Sequence, residues 1–270
     1  MRLAGIKKRQ QKQHRRNLML NWTKTLLTSV QNNQPYPSLS GDFPAASVAD
    51  AYAVQKQFVA ELAQSHLWGD IVGFKAAVTA PQAQQAMGID TGIMGVLFAK
   101  GARTADSTLD LDRPVLLETE IGFIVGKTIT APVTINTVAD HISAYMPMIE
   151  LAAPNFPQRP TGVDLIAANS ASYGFIRGNP VAARISAEID TLQIQQQQNE
   201  ELLYVIQAGA VMDGQLHALT WLINEVLSQG YIIQPEQFLI TGSIGAMIPA
   251  KPGKYRADFA QLGEIKFTVG

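Results

Sequence analysis

Residues 114–126 read Pro-Val-Leu-Leu-Glu-Thr-Glu-Ile-Gly-Phe-Ile-Val-Gly, an apolar run that proline and glycine bound. Such a run predicts a buried β-strand. Two glutamates, Glu118 and Glu120, interrupt it two positions apart. Because side chains alternate across a strand, both project from the same face, with their Cα atoms about 7 Å apart. The stretch therefore predicts a pair of acids inside an apolar strand.

This pair of acids has two interpretations. If both are buried and ionised, they repel by about 2 kcal/mol at an effective dielectric near ~20, and desolvation costs several kcal/mol more for each ion. A divalent cation between them would remove both costs, since ions such as Mg²⁺ bind carboxylate oxygens. Alternatively, the strand is half exposed and the glutamates face water, with Leu117, Thr119 and Ile121 facing the core. From this segment alone, the half-exposed strand is the simpler interpretation.

Two further charged residues lie in apolar runs. Lys75 is in Ile-Val-Gly-Phe-Lys-Ala-Ala-Val (71–78), and Glu150 is in Met-Ile-Glu-Leu (148–151). A partly desolvated lysine has a lowered pKa and can move protons; alternatively, its stem packs and its ammonium reaches the surface. Three carboxylates that leave positions open for water and substrate are a common arrangement for Mg²⁺ or Mn²⁺.

The composition is that of a soluble globular protein. The 270 residues are 47% hydrophobic and 16% charged, enough for one large domain or two smaller ones. Cysteine is absent, which excludes disulfides, thiolate metal sites and a cysteine nucleophile. No apolar run approaches the roughly 20 residues of a membrane span, and we expect a cytoplasmic location. The histidines are scattered, and the sequence contains no phosphate-binding loop, dinucleotide fingerprint or nucleophile elbow.

The charge of the chain is unevenly distributed. Residues 1–18 carry seven basic residues and no acid, so at a net charge of −1 the remaining residues have an excess of eight acids. We expect residues 1–18 to be a disordered basic extension. Such an arm could bind nucleic acid or act in targeting, or it could be an upstream extension before a start at Met19. The remaining residues are acidic and would repel phosphate, so no nucleic-acid partner is expected. No membrane partner is expected either.

The remaining patterns predict helices early and strands late, which favours the α+β class. Residues 19–70 are expected to form an N-terminal helical part, and residues 71–270 a β-rich catalytic domain. The predicted elements are a helix that Ser47 and Asp50 cap and that ends near Gly69, a helix start at 81–87, a glycine loop over 88–95, a helix from Thr137 to Pro147, a hairpin of strands 191–196 and 202–209 around a solvated loop Gln195–Gln198, a helix over 217–229, and strands over 238–243 and 264–269.

Several short segments, taken in order, are similar to the 2-keto-4-pentenoate hydratase group of the fumarylacetoacetate hydrolase superfamily. They are Gly-Asp-Ile-Val-Gly-Phe-Lys (69–75), Gln-Gln-Ala-Met-Gly-Ile-Asp (84–90), Leu-Glu-Thr-Glu-Ile-Gly-Phe (117–123), Ile-Glu-Leu (149–151), Asp164 with Asn169, Trp221-Leu222 and Thr241-Gly242-Ser243. The resemblance runs from about residue 47 to the C-terminus. It implies a mixed β-roll or β-sandwich with a small N-terminal helical part, in a homo-oligomer.

The same resemblance implies the site. It assigns Mg²⁺ or Mn²⁺ to Glu118, Glu120 and Glu150, and proton transfer to Lys75. It also implies that the substrate contacts Asn169, Ser170, Thr241 and Ser243. The implied partner is a small 2-oxo or 2-hydroxydienoic acid. With the resemblance, burial becomes the favoured interpretation of the glutamates and of the lysine.

Three functions follow from these expectations. The leading hypothesis is a metal-dependent hydro-lyase that adds water to a 2-hydroxy-2,4-dienoate through an enolate, giving a 4-hydroxy-2-oxo acid. A second is a 2-oxo acid decarboxylase or an acylpyruvate C–C hydrolase. The hydrolase ranks lower, because that branch should carry a His-Glu pair that activates water and no histidine here lies in a convincing place for one. The third is a non-catalytic relative that binds a metal or small acid, or that partners an active paralogue. Ile93 and Ala168 favour it, because they replace acids of the family pattern.

Overall fold

The computed structural model describes residues 17, 19, 21–182 and 184–270. The predicted basic extension therefore lies almost entirely outside the described residues. The α-helices are α1 (21–31), α2 (Leu39–Asp42), α3 (Val48–Gln64), α4 (Pro81–Met87), α5 (Gly162–Ala167) and α6 (Gln215–Ser228). The strands are β1 (Ile71–Ala77), β2 (Ile93–Phe98), β3 (Ala102–Arg103), β4 (Thr108–Leu109), β5 (Leu116–Val125), β6 (Ile142–Ala152), β7 (Ser172–Arg177), β8 (Gln193–Gln198), β9 (Glu201–Gln207), β10 (Phe238–Ile240), β11 (Ile248–Pro249), β12 (Gly253–Asp258) and β13 (Glu264–Val269).

The strands form two mixed sheets. The first runs β2-β1-β10-β5-β6-β7-β3, with β11 paired to β5, and the second runs β4-β13-β12-β8-β9. The first sheet curls until β2 approaches β7, and the Ser172 hydroxyl there donates to the Val96 carbonyl over 3.0 Å. The first sheet is therefore a roll with an inner and an outer face. Mixed sheets with a helical N-terminal part are the α+β architecture that the sequence predicts.

The two faces of the roll bury different residues. The outer face carries the main core, in which Phe74 and Leu239 pack with residues of α3, α5 and α6. The inner face holds a separate apolar cluster of Leu97, Met146, Met148, Phe175, Phe238 and Ile240. Lys75 pairs with Ile240, and Glu120 pairs with Met148. Because paired residues point to the same side, these charged side chains share the inner face.

The glycine loop predicted over 88–95 is wrong at its second half, where β2 is a fully buried strand. Gly95 lies opposite Lys75 in the ladder. A Cβ at Gly95 would stand 3.0 Å from the Asn169 carbonyl oxygen and 3.1 Å from Cγ of Lys75. Glycine at this position therefore lets the Asn169 loop and the Lys75 side chain pack closely against β2, and it does not form a turn.

The helix predicted from Thr137 to Pro147 is also wrong. A short 3₁₀ turn, Val138–His141, is followed directly by β6, which continues through Pro147. The Pro147 carbonyl accepts a hydrogen bond from Gly178 N over 2.9 Å, just beyond the end of β7. In an antiparallel strand, the nitrogen and the carbonyl of one residue point towards the same neighbouring strand. The nitrogen of Pro147 therefore also points towards β7, at a level where β7 has already ended. Little ladder bonding is lost there.

The glutamine-rich segment is part of a strand. Strands β8 and β9 pair as the predicted hairpin, but Gln195–Gln198 belong to β8, and Gln196 is only 2% exposed. The turn is made by Asn199 and Glu200, which both have positive φ, as tight hairpin turns require. The solvated loop predicted for the glutamines is therefore wrong.

Three helices agree with the sequence patterns. The capping box of Ser47 and Asp50 is present at the start of α3, which ends at Gln64, earlier than the predicted Gly69. Helix α4 covers the predicted residues, and α6 is followed by Gly230 at φ +76°. Among the described helices, none is both long and apolar enough to cross a membrane.

Asp164 joins the N-terminal helical part to the roll. Its buried carboxylate accepts hydrogen bonds from Ser40 N and Oγ, both at 2.8 Å, and from Ser38 Oγ at 3.1 Å. It also accepts from Thr161 N and Oγ1 at the start of α5. Burial opposes ionisation, but these hydrogen bonds prevail and lower the pKa of Asp164. The ionised carboxylate therefore stabilises the fold.

Changing Asp164 to asparagine is expected to reduce the free energy of unfolding by about 2–3 kcal/mol, because an amide group would face several donors. Since the folded pKa is lowered, this stabilisation exists above the ordinary pKa and is lost as the pH falls through the folded value. The difference from wild type should therefore shrink in acid. Urea unfolding measures it, with Asp50→Asn in the exposed capping box of α3 as the matched control, for which about 1 kcal/mol is expected. Equal losses would contradict the role of Asp164.

Candidate metal centre

Three carboxylates meet on the inner face of the roll. Strands β5 and β6 are antiparallel, and their register places Glu118 directly opposite Glu150. Glu120 follows two residues later on the same face. One oxygen from each of the three lies within 4.8 Å of the others. Glu118 is 9% exposed, and the other two are 0% exposed. The half-exposed strand is therefore wrong, because the curled sheet encloses this face.

Each of two buried carboxylates has one oxygen with a hydrogen-bond donor and one without. Glu120 Oε2 accepts from Gly242 N over 2.7 Å, and Glu150 Oε1 accepts from Lys75 Nζ. In the described part of the chain, Glu120 Oε1 and Glu150 Oε2 have no hydrogen-bond partner. Leaving buried polar atoms unpaired is costly. Several hard oxygen donors with unmet bonding capacity fit Mg²⁺ or Mn²⁺, with ligand positions left for water and substrate.

Lys75 is buried beside these carboxylates. It is 1% exposed and forms an ion pair with Glu150, so its ammonium does not reach the surface. Burial alone would lower the pKa of Lys75, but the charges of Glu150 and Glu118 outweigh burial and raise that pKa above its ordinary value. The direction is opposite to the one predicted for an isolated desolvated lysine, because the surrounding carboxylates stabilise the ammonium.

The same environment favours the protonated forms of Glu118 and Glu120. Burial, followed by the charge of Glu150, raises the pKa of Glu118 to about 7, although Lys75 and the Ser243 hydroxyl act against this rise. Burial and the charges of Glu150 and Glu118 raise the pKa of Glu120 well above its ordinary value. In the absence of a cation, like charges in a dry site are relieved by protonation.

The turn after β10 completes the surroundings of the acids. Gly242 has φ +107°, and a Cβ there would lie 2.6 Å from Cγ2 of Thr79, so glycine is required. Its N–H is the donor to Glu120. The hydroxyl of Ser243 is buried and acts on the Glu118 carboxylate, whose pKa it lowers, but it forms no hydrogen bond of normal geometry with any described residue. Thr241 instead donates to Gln215 Oε1 over 2.7 Å. Of these two predicted substrate residues, Ser243 therefore has the uncommitted hydroxyl.

Asn169 and Ser170 tie the loop after α5 to β2. The Asn169 side chain accepts from Val96 N over 2.8 Å and donates to Val96 O over 2.9 Å. Ser170 Oγ donates to the Met94 carbonyl over 2.7 Å. These hydrogen bonds give both side chains a structural role in closing the roll, and their contact with substrate stays a prediction.

Sequence reasoning missed Tyr204, whose neighbours in the exposed hairpin give no signal of function. Thr119 Oγ1 donates to the Ile244 carbonyl over 2.7 Å, so the Tyr204 hydroxyl, 2.9 Å away, is the donor to Thr119. A Cβ on Gly245 would lie 2.8 Å from the Tyr204 ring. Tyr204 of the second sheet thus fastens the turn that carries Gly242 against β5.

Comparison with known proteins connects this geometry to named enzymes. No family model matches the chain. A 2-keto-4-pentenoate hydratase from Paraburkholderia xenovorans (strain LB400) is 24% identical over 233 residues, which is 85% of this chain and 86% of that protein. The chain is similar to 2-keto-4-pentenoate hydratases over most of its length. A 4-oxalocrotonate decarboxylase from Pseudomonas sp. (strain CF600) is likewise 24% identical over 221 residues, covering 80% of this chain and 83% of that one.

A solved structure has the same fold as this chain. The 4-oxalocrotonate decarboxylase from Pseudomonas putida G7, complexed with magnesium and adipate, superposes with a TM-score of 0.86 at 23% identity, over 94% of this chain and 98% of that one. Fumarylacetoacetate hydrolase family structures also match the chain. The predicted resemblance and the predicted fold type are confirmed. The names of the hydratase relatives are consistent with the predicted hydro-lyase class.

Cation affinity is expected to rise with pH. Carboxylates must lose their protons to bind a metal, and the pKa of Glu118 is raised to about 7, with that of Glu120 also raised. Below those values the affinity for Mn²⁺ should increase about tenfold per pH unit for each proton displaced. Because both folded pKa values exceed the unfolded ones, the metal-free protein should also lose stability as the pH rises through them.

Calorimetric titration with Mn²⁺ from about pH 6 to about pH 8 measures this dependence. The melting temperature measured with and without Mn²⁺ gives the accompanying change in stability. An affinity that stays constant over this interval would contradict the raised pKa values.

Proposed function

We propose that the chain is a metal-dependent hydratase that converts a 2-hydroxy-2,4-dienoate, similar to 2-keto-4-pentenoate, into a 4-hydroxy-2-oxo acid. The observation that carries this proposal is the buried group of three carboxylates with two unpaired oxygens beside Lys75. The names of its relatives supply the reaction class. We further infer a homo-oligomer in the cytoplasm that acts in the catabolism of aromatic compounds.

The reaction is a proton rearrangement followed by addition of water. The 2-hydroxyl loses a proton and C5 gains one, which leaves a 2-oxo acid with a conjugated 3,4-double bond. Water then adds across that bond, with its oxygen at C4 and a proton at C3. The net reaction adds one water molecule to the substrate. The protein must therefore supply groups that hold and move protons, and a site that binds a 2-oxo acid.

Glu118, Glu120 and Glu150 would hold the divalent cation. When bound, Mg²⁺ or Mn²⁺ supplies a Lewis acid that orients the 2-oxygen and the carboxylate and stabilises negative charge. Three protein ligands suit this use, because they leave coordination positions open. The inner face keeps bulk water away from these groups, which strengthens electrostatic interactions within it.

Lys75 is the group proposed to move protons. In the metal-free chain, its carboxylate neighbours hold it protonated, which suits it to donate the proton that C5 receives. Neutralising those carboxylates would withdraw this support and bring the lysine pKa closer to neutrality, where proton transfer in both directions is efficient. The uncommitted hydroxyl of Ser243 is proposed to bind the incoming water or the substrate carboxylate.

The decisive experiment is a turnover assay on 2-hydroxypenta-2,4-dienoate with Mg²⁺ or Mn²⁺. The expected product is the 4-hydroxy-2-oxo acid, identified by mass spectrometry, with activity that EDTA removes and added metal restores. Full turnover in metal-free protein would exclude the proposed chemistry. Absence of turnover with bound metal would favour the non-catalytic relative.

Decarboxylation of a 2-oxo acid is the second candidate. It is favoured by the 4-oxalocrotonate decarboxylases among the relatives. Both reactions use a metal site for a 2-oxo acid but differ in the bond that breaks. Incubation with 4-oxalocrotonate separates them, since the decarboxylase releases CO₂ and the hydratase does not.

A further inference from the structure

A second set of charged and aromatic residues surrounds a cavity of about 160 Å³ between α1, β3 and β7. Lys100, Arg103 and Arg113 contribute positive charge to its walls, and no carboxylate of the described residues lines it. Its aromatic walls are Tyr36, Trp68, Phe98, Tyr173 and Phe175. None of the three glutamates nor Lys75 borders this cavity, so it is separate from the candidate metal centre.

Two guanidinium groups gather around one ring of this cavity. The guanidinium carbon of Arg103 lies 5.5 Å from the centroid of the Tyr173 ring, and that of Arg113 lies 5.2 Å from the same centroid. Arg113 is paired with Asp112, with 3.0 Å between Nη2 and Oδ2. The Tyr173 hydroxyl donates to the same aspartate over 2.8 Å. One of the two arginines is thus neutralised.

The other two cations, Arg103 and Lys100, have no acidic partner in the part of the chain that the structure describes. Within the described residues, neither Arg103 nor Lys100 forms an ion pair. Arg103 Nη1 donates to the carbonyls of Lys100 and Ala102, and Lys100 Nζ donates to the His66 carbonyl over 2.8 Å. These bonds orient both groups without neutralising them. The cavity therefore carries an excess of positive charge between aromatic walls.

We propose that this cavity binds a small planar carboxylic acid. A flat conjugated body fits between the aromatic walls, and the carboxylate would pair with the guanidinium of Arg103, a geometry that favours bidentate contact. The volume of about 160 Å³ lies below the ~300–1,000 Å³ of pockets for drug-sized ligands. A small acid suits this volume, whereas inorganic anions would leave the aromatic walls uncovered.

The cavity adjoins the metal centre through one residue. Phe175 lines the cavity and is the ladder partner of Glu150 across β6 and β7. An acid bound in the cavity would thus contact β7, the strand that pairs with β6, without contacting Glu118, Glu120 or Glu150. The proposal does not depend on the reaction assigned to that cluster.

Ligand-observed NMR titration of the full chain with benzoate tests the proposal, with neutral benzamide of the same shape as the comparison. Both titrations are run with Mg²⁺ and with EDTA, because benzoate bound to a metal would be lost on chelation. Saturable benzoate binding that persists in EDTA is expected, with benzamide about tenfold weaker or worse. Binding that disappears with the metal, equal binding of the two probes, or no saturable binding would each overturn the proposal.

Arg103→Gln is expected to weaken benzoate binding about tenfold, because a charge-assisted pair is lost. Arg103→Lys should retain part of the affinity, since it keeps the charge without the planar fork. The matched control is Arg184→Gln, which removes an exposed arginine that pairs with Asp140 away from the cavity. An unchanged benzoate affinity in Arg103→Gln, or an equal loss in the control, would also overturn the proposal.

Discussion

Replacing Glu120 with glutamine is expected to lower hydratase turnover by about three orders of magnitude without unfolding the protein. The glutamine oxygen can still accept the hydrogen bond that Gly242 N donates to Glu120 Oε2. The site nevertheless loses one of three negative charges that would hold the cation. A catalytic metal contributes several kcal/mol of charge stabilisation, and about 1.4 kcal/mol corresponds to a tenfold change in rate.

The stability of the metal-free protein is expected to change in the opposite direction. Burial and the neighbouring acids raise the pKa of Glu120 well above its ordinary value, so the folded metal-free protein must either keep this acid protonated or suffer like-charge repulsion. A neutral glutamine removes that cost. The metal-free Glu120→Gln variant should melt at the same temperature as wild type or higher. Its melting temperature should respond little to Mn²⁺, whereas wild type should be stabilised. Scanning calorimetry with and without Mn²⁺ measures both effects.

The matched control for this variant is Glu201→Gln, the same chemical change at an exposed position of β9. It should leave turnover and the response to Mn²⁺ unchanged. If Glu120→Gln kept wild-type turnover and wild-type stabilisation by Mn²⁺, Glu120 would not be a ligand, and the assignment of the metal centre would fail.

Local patterns sufficed for parts of the fold that depend on local interactions. The apolar run around Glu118 predicted β5, and the capping box of Ser47 predicted the start of α3. The acids of the site could each be recognised because they interrupt apolar runs. Their meeting could not be derived from the runs, because the pairing of Glu118 with Glu150 depends on the register between β5 and β6. For that step the resemblance to a family supplied what periodicity could not.

The wrong predictions share a physical cause. Gly95 and Pro147 were interpreted by their usual local meaning, as a turn residue and as the end of a helix. Their observed roles are set by distant neighbours, the loop at Asn169 for the glycine and the end of β7 for the proline. The pKa of Lys75 was predicted to fall, because desolvation is visible from an apolar run whereas the three facing carboxylates are not. Tertiary context decided each case.

Replacing Lys75 with methionine is expected to reduce turnover by about two to four orders of magnitude, the usual contribution of a positioned acid or base, while Mn²⁺ still binds. The variant should bind Mn²⁺ at least as tightly as wild type, since a positive charge beside the ligands is removed. Without metal, the buried Glu150 loses its partner, and the free energy of unfolding should fall by about 3–5 kcal/mol. Binding of Mn²⁺ should restore most of that loss.

Three measurements distinguish this role of Lys75 from a structural one: turnover, calorimetric titration with Mn²⁺, and urea unfolding with and without the metal. The matched control is Lys266→Met, which breaks the exposed pair with Glu264 and should cost about 1 kcal/mol or less. If Lys75→Met retained turnover within a few-fold, proton transfer by this lysine would be excluded. If the variant bound Mn²⁺ as poorly as Glu120→Gln, Lys75 would serve to assemble the ligands, because a proton-transfer group should leave cation binding intact.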